Sequence, residues 1–339
     1  MSQDLLAQRG VSHRLDAYVV GATFNRSGTR VGFGLGDGCV VIGSQSGEWP
    51  RFETHDGGLL AITPDLAEGF LSGGDDGALS RTGLDGTISR VAQFGSKWVE
   101  QVASYGDAAA GLIACSVGKN LILFDQGGQK LKELPHPSTV TGIAFDAKGK
   151  RIAASHYGGA SLWYAMAKTD NPRKLEWKGS HTGVTIHPGG EAVVTSMQEN
   201  ALHGWRLTDG QHMRMSGYPA KTGSLSWSRH GKWLASSGAD AIVLWPFTGG
   251  GPMGKPPLEL AQIPDIVCTK VAFHPAHDIV AAGYADGTVA MADIGGERVL
   301  RVKAPGDGEV SALAWNPQGT LLAFGTEEGL AGIVDLTAR

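Results

Sequence analysis

Cysteine is scarce: Cys39, Cys115 and Cys268 are the three in 339 residues. They show no paired spacing, which argues for buried thiols of a cytoplasmic protein against a disulfide framework or a Cys-based metal site. No window approaches the ~18 apolar residues of a membrane span, so no membrane partner is expected. The start, Met1-Ser2-Gln3-Asp4-Leu5-Leu6, lacks a basic region followed by an apolar core, and no secretory leader is read there. A net charge of −4 and a pI near 6.3 supply no general positive field for nucleic acid.

Catalytic signatures are missing as well. The chain has no His-Glu-x-x-His, Cys-x-x-Cys, Gly-x-Ser-x-Gly or P-loop. Gly32–Gly38 is glycine-rich but runs through a strand into a hairpin, with no helix to cradle phosphate. His181 and His187 share a strand run, yet sit about 20 Å apart along it, too far for one metal ion. No catalytic residue, cofactor or metal is expected.

What the chain has in plenty is glycine, 51 residues, placed at the corners of short apolar runs. The stretch Glu309–Leu336 shows the pattern: a strand ending at Trp315, a turn Asn316-Pro317-Gln318-Gly319, a strand Leu321–Gly325, a corner Thr326–Gly329, and a third strand finishing on Val334-Asp335. First strands end at Phe24, Ile62, Tyr105, Phe145, Ile186, Trp227, Phe273 and Trp315, a period of 38 to 46 residues. Third strands end at Ile42, Arg81, Phe124, Trp163, Trp205, Trp245, Ala292 and Val334, always 18 or 19 residues later. A random β-rich sequence would not hold that spacing. The approximate units are 18–54, 59–94, 98–134, 140–177, 183–215, 224–260, 271–302 and 310–336.

The residues Leu162-Trp163-Tyr164, Leu244-Trp245-Pro246, Tyr284–Val289 and Ile333-Val334-Asp335-Leu336 resemble the WD40 repeat family, and the resemblance covers nearly the whole chain. Trp-Asp never occurs as a pair, being reduced to Phe124-Asp125, Trp205-Arg206 or Val334-Asp335. The resemblance implies an all-β fold: one closed β-propeller of four-stranded antiparallel blades. Eight blades are expected from the eight units, with seven plus a divergent segment as the alternative. Only seven outer strands follow in sequence, so Arg9–Leu15 is expected to supply the outer strand of the last unit and protect its edge. The competing reading is a short helix at Asp4–Gln8 without a closing role.

The resemblance also implies a non-enzymatic scaffold that binds a protein or peptide partner, although propellers host many roles. Corners between second and third strands share one face, and six of the eight carry acids: Asp37, Asp75-Asp76, Glu199, Asp240, Asp286 and Glu327-Glu328, the other two reading Lys119-Asn120 and Tyr157-Gly158. Hairpin chemistry explains one Asp or Asn per corner, but not Asp76 beside Asp75 or Glu328 beside Glu327. The same face should present Trp98, Tyr157, Met197, Tyr218 and Tyr284, large side chains of the kind interfaces use. These nine residues form the candidate partner site. The Gly/Pro-rich loop Pro246–Pro257 should expose Phe247 and Met253. Small inner-strand residues, such as Gly21, Gly142 and Gly183, follow Val20, Thr141 and Thr182. They point to close packing; the alternative function is a ligand- or metal-binding channel lined by the threonines, with enzymatic use included in that alternative.

Overall fold

The computed structural model describes residues 4–296 and 298–337; Met1–Gln3, part of the leader reading, lie outside the described residues. After a short helix, Leu5–Arg9, the described chain is all strand and turn. Its strands form antiparallel meanders whose first strands stand side by side. The last of these, Val310–Trp315, returns to the first, Val19–Phe24, where Ser311 Oγ donates to Val19 O at 2.6 Å. The arrangement is a closed β-propeller of four-stranded antiparallel blades. Gly10–Arg14 pairs antiparallel with Leu330–Asp335, so the N-terminal strand does supply the outer strand of the last unit. The helix read as its competitor simply precedes it, capped by the Asp4 carboxylate, which accepts from Ala7 N.

The eight units do not form eight separate sheets. Among the described residues there are seven: six of four strands and one of six. Units four and five share the six-stranded sheet, because Arg151–Tyr164 and Arg173–Ile186 are each 14 residues long. At their junction Tyr157 pairs with Ser180 and His181 with Met197, which leaves no loop between the outer strand of one unit and the inner strand of the next. Elsewhere such a loop exists, as between Arg51–Glu53 and Leu59–Pro64. The third-strand landmarks keep one ladder position: Ile42 opposite Gly32, Phe124 opposite Ile113, Val334 opposite Leu322. In unit two the first strand runs on to Pro64, two residues past Ile62.

Burial follows position in the meander. Second and third strands such as Val31–Leu35 and Cys39–Gly43 are buried throughout, because neighbouring sheets cover both faces, and they read as continuous apolar runs. Outer strands such as Ile88–Gln93 are largely exposed and polar. Arg81 takes the place of an aromatic landmark by reaching down to Asp65, with Nε 3.1 Å from a carboxylate oxygen, and to Gln126 O at 2.6 Å.

The sheets are stitched to one another near the axis. Six inner strands carry a bulge at one matching position: Val19/Gly21, Leu59/Ala61, Val99/Gln101, His181/Gly183, Cys268/Lys270 and Val310/Ala312. A bulge frees its extra residue from the ladder. At two of them the hydroxyl reaches the next inner strand: Thr269 Oγ1 donates to Val310 O at 2.7 Å and Ser311 Oγ to Val19 O. Thr141 does the same to His181 O. These hydroxyls join neighbouring units, which is the packing role. A second-strand glycine makes room beside the Thr269 and Ser311 joints. A Cβ on Gly325 would lie 2.3 Å from Val19 Cγ1, and one on Gly283 would lie 2.3 Å from Val310 Cγ1. At the other end of the strands, His187 Nε2 and His274 Nε2 each meet a glycine carbonyl of the following unit, Gly231 O and Gly319 O, at 3.0 Å. The turns these histidines open, His187-Pro188 and His274-Pro275, are thus structural.

Ser311→Ala should lower unfolding stability by about 1 kcal/mol, the ordinary value of a lost buried hydrogen bond. Gly325→Ala should lower it by about 1–3 kcal/mol through overpacking against Val19. Urea titration of both variants tests this; unchanged midpoints would mean that the Val19 joint does not hold the ring.

Candidate interaction surface

The corners between second and third strands gather on one face with the connections that enter each unit, because every meander runs in the same sense. Glu327 and Glu328 are exposed there, and Asp75 is partly exposed. Asp76 is not a free surface acid: its side chain is only 10% exposed and lies 3.0 Å from His55 Nδ1. It also accepts from Ala78 N at 3.0 Å and Asp56 N at 3.2 Å, while His55 Nε2 meets Ser72 Oγ at 2.8 Å. Burial opposes the Asp76 charge, but the Ala78 and Asp56 N–H groups and His55 outweigh it and keep this carboxyl below the usual range. The second aspartate of the pair therefore has a structural reason: it braces the corner to the preceding connection.

Asp76, His55 and Ser72 stand in the order of an acyl-transfer triad. Ser72 is buried, however, and its hydroxyl is sealed from solvent. The same place in other units holds different groups. In unit five His181 Nδ1 meets Thr195 Oγ1 at 2.7 Å; in unit six Tyr218 OH meets Ser236 Oγ and accepts from Trp245 Nε1, both at 2.6 Å. Unit four bonds Trp163 Nε1 to His136 Nε2 at 3.0 Å. A position that changes its chemistry from unit to unit while keeping its bonds is a brace between connection and strand. Among the described residues, no three His, Cys, Asp or Glu side chains are grouped to hold a metal ion.

The aromatic candidates divide. Trp98 is 55% exposed and Tyr157 59%, and both stand on the corner face. Met197 and Tyr218 are 5% and 8% exposed, and Tyr284 is wholly buried, so these three do not display themselves to a partner. The reason is that connecting segments fold over the strand ends. Tyr284 OH donates to Ala261 O in such a connection, and Tyr218 reaches inward from another to Ser236 and Trp245. Burial pushes the Tyr218 phenol up to about 12. In the Pro246–Pro257 loop Met253 is exposed, but Phe247 packs on Trp227 at 4.6 Å between centroids, and Arg206 Nη1 holds Gly250 O at 2.9 Å.

One charged group near the axis escaped notice in the sequence. Lys270 pairs with Gly283 at the ladder position where Gly21 pairs with Gly34 and Ala312 with Gly325. Burial lowers the Lys270 pKa, and the nearby Glu309 and Glu327 charges oppose that shift. Burial and Glu327 together raise the Glu309 pKa. Glu327 N donates to Glu309 O at 2.9 Å, so this acidic pair forms the inner margin of the corner face. The available signal was a lysine three residues before the Phe273 landmark, where other units carry small residues.

Fold and surface together define a closed, braced propeller with an open, polar corner face. Residues 214–245 match the WD domain, G-beta repeat model, and residues 271–338 match the model of the anaphase-promoting complex subunit 4 WD40 domain. No curated protein matches the chain. Among solved structures it is similar to the computationally designed Ika8 protein, at 18% identity and a TM-score of 0.76, over 95% of this chain and 98% of that one; at this identity the likeness speaks for the fold alone. The protein is a WD40-repeat β-propeller.

The buried braces make stability acid-sensitive. Burial and the His156 charge lower His136 to about 4; burial, then His212 and His181, lower His203 to about 3. The folded state holds these rings neutral, whereas the unfolded chain protonates them near pH 6.5. Their contribution is therefore complete above about pH 6.5 and is lost as pH falls towards 4 and then 3. Urea midpoints should drop between pH 7 and pH 4.5, and His203→Gln should flatten the slope. An equal slope in the variant would show that His203 is not the titrating group.

Proposed function

We propose that the protein is a non-enzymatic interaction scaffold, and that its corner face binds a protein or peptide partner. The observation that carries this reading is the exposure of Trp98 and Tyr157 on the face that also presents Asp75, Glu327 and Glu328. Large aromatic side chains ringed by polar groups are the usual anchors of an interface. The acidic corners favour a basic contact surface on the partner. The family supports the scaffold role, since WD40 domains typically bind protein partners, and the match to a domain of an anaphase-promoting complex subunit supports membership in a larger assembly.

We also read the six-stranded sheet as two blades in series, which makes eight within a single domain. In its long strand the Ala165 N–H donates to Lys150 O at 3.0 Å, so Arg151–Tyr164 folds back on itself. The same bond closes the second-to-third hairpin of other units, Leu207 N to Glu191 O and Leu336 N to Thr320 O. A second reading of function, a small ligand at the axial mouth, is favoured by Lys270 standing beside Glu309 and Glu327.

Affinity capture from source lysate, followed by mass spectrometry, tests the scaffold reading. The wild-type protein should retain a partner that Trp98→Ala combined with Glu327→Lys and Glu328→Lys loses, with an unchanged melting temperature. A partner equally retained by that variant would place binding elsewhere. With no partner above background, and thermal stabilisation by a small molecule, the axial reading would replace it.

A further inference from the structure

Charge is segregated along this chain and therefore around the ring. Residues 119–232 hold 15 Lys and Arg against 8 Asp and Glu, while the remainder holds 14 against 25. A chain of net charge −4 thus carries one strongly positive arc, from the end of unit three into unit six. Within that arc, beside the two 14-residue strands, lies an open hollow of about 500 Å³ whose wall includes Tyr157, Ser161, Lys174, Glu176, Trp177 and Lys178.

The hollow arises from strand register. Tyr157 pairs with Ser180 and Gly159 with Glu176, so two extra residues are forced out of the ladder between Glu176 and Ser180. The displaced stretch carries Trp177 and Lys178. Trp177 stacks on His203 of the next unit, with ring centroids 4.0 Å apart and planes 15° from parallel, and remains partly exposed. Tyr157 stands open across from it. Lys174 and Lys178 are exposed, and among the described residues neither has a carboxylate within ion-pair distance. By contrast, the neighbouring Lys132 is held by Asp170 and Arg151 by Asp146. Two aromatic surfaces and two uncommitted ammonium groups thus face one open recess.

We propose that this hollow is a second docking surface, which takes an acidic peptide segment of a partner protein with an apolar or aromatic side chain seated between Tyr157 and Trp177. Charge complementarity selects that occupant. A nucleic acid fits less well, because Glu176 interrupts the positive track that a phosphodiester backbone would follow. A second copy of this chain fits less well, because several of its acids already serve internal partners, Asp37 with Arg51, Asp65 with Arg81 and Asp76 with His55. This surface goes beyond the corner-face reading: it adjoins that face at Tyr157, and its occupant is acidic where the corner acids favour a basic one.

A fluorescein-labelled peptide of glutamates flanking a single phenylalanine serves as the probe, read by fluorescence anisotropy at low and physiological salt. Binding should be salt-sensitive, about tenfold weaker for Lys174→Glu/Lys178→Glu, and weaker for Tyr157→Ala. It should be unchanged for Glu327→Lys/Glu328→Lys, which separates its failure from failure of the corner-face reading. Matched melting temperatures verify that the variants fold. Absent binding, or binding equal in the Lys174/Lys178 variant, would overturn the proposal. Tighter binding of a single-stranded DNA of equal charge would replace it with a nucleic-acid site. Self-association in sedimentation that the Lys174/Lys178 variant abolishes would assign the hollow to a second copy.

Discussion

A hydroxyl donated from one inner strand to the backbone of the next is the contact on which the ring depends. A four-stranded sheet of this size cannot bury both its faces alone, so its stability lies in its junctions. The bulges turn one side chain out of six inner ladders, and Thr269 and Ser311 use that freedom to grip the following unit, as Thr141 does from just before its strand. Gly283 and Gly325 let the same joints approach closely. At the opposite strand ends His187 and His274 repeat the connection through their ring nitrogens. In unit two, Arg81 replaces the landmark aromatic and is held by Asp65 instead.

This division of labour explains what was legible in the amino-acid order. Period, strand sequence and the closing role of the N-terminal strand are written in local chemistry: alternation, turn glycines and an unpaired final edge. The burial of Tyr218 and Tyr284 is not, because the segments that cover them come from connections whose path depends on tertiary packing. The brace between Asp76 and His55 was hidden for a similar reason, since its partners belong to different turns and only the folded corner joins them. The merging of units four and five depends on pairing that passes directly from Ser180 to His181, a property that turn residues do not advertise.

The functional surfaces inherit their character from the same scaffold. Corner loops that must form tight turns are acidic, and those acids not used as braces remain available at Asp75, Glu327 and Glu328. Basic residues collect where the ladder is irregular, beside the displaced Trp177. One architecture thus presents two electrostatic environments, acidic corners and a basic hollow, that meet at Tyr157. No reactive constellation is required for binding there, and the Ser72 hydroxyl shows how a catalytic-looking order of groups can be wholly structural when it is sealed from solvent.

The pairing of Gly10–Arg14 with Leu330–Asp335 also sets a rule for biogenesis. These two strands are separated by almost the whole chain, so the closing ladder is the contact of longest sequence separation and carries the largest loop-closure entropy. During synthesis the N-terminal strand emerges first and has no partner until the last strands leave the ribosome. Closure of the ring consequently waits for that last strand, and a chain stalled before Leu330 exposes an edge to other nascent chains. The clasp that finishes the molecule is also the point at which its quality can be checked.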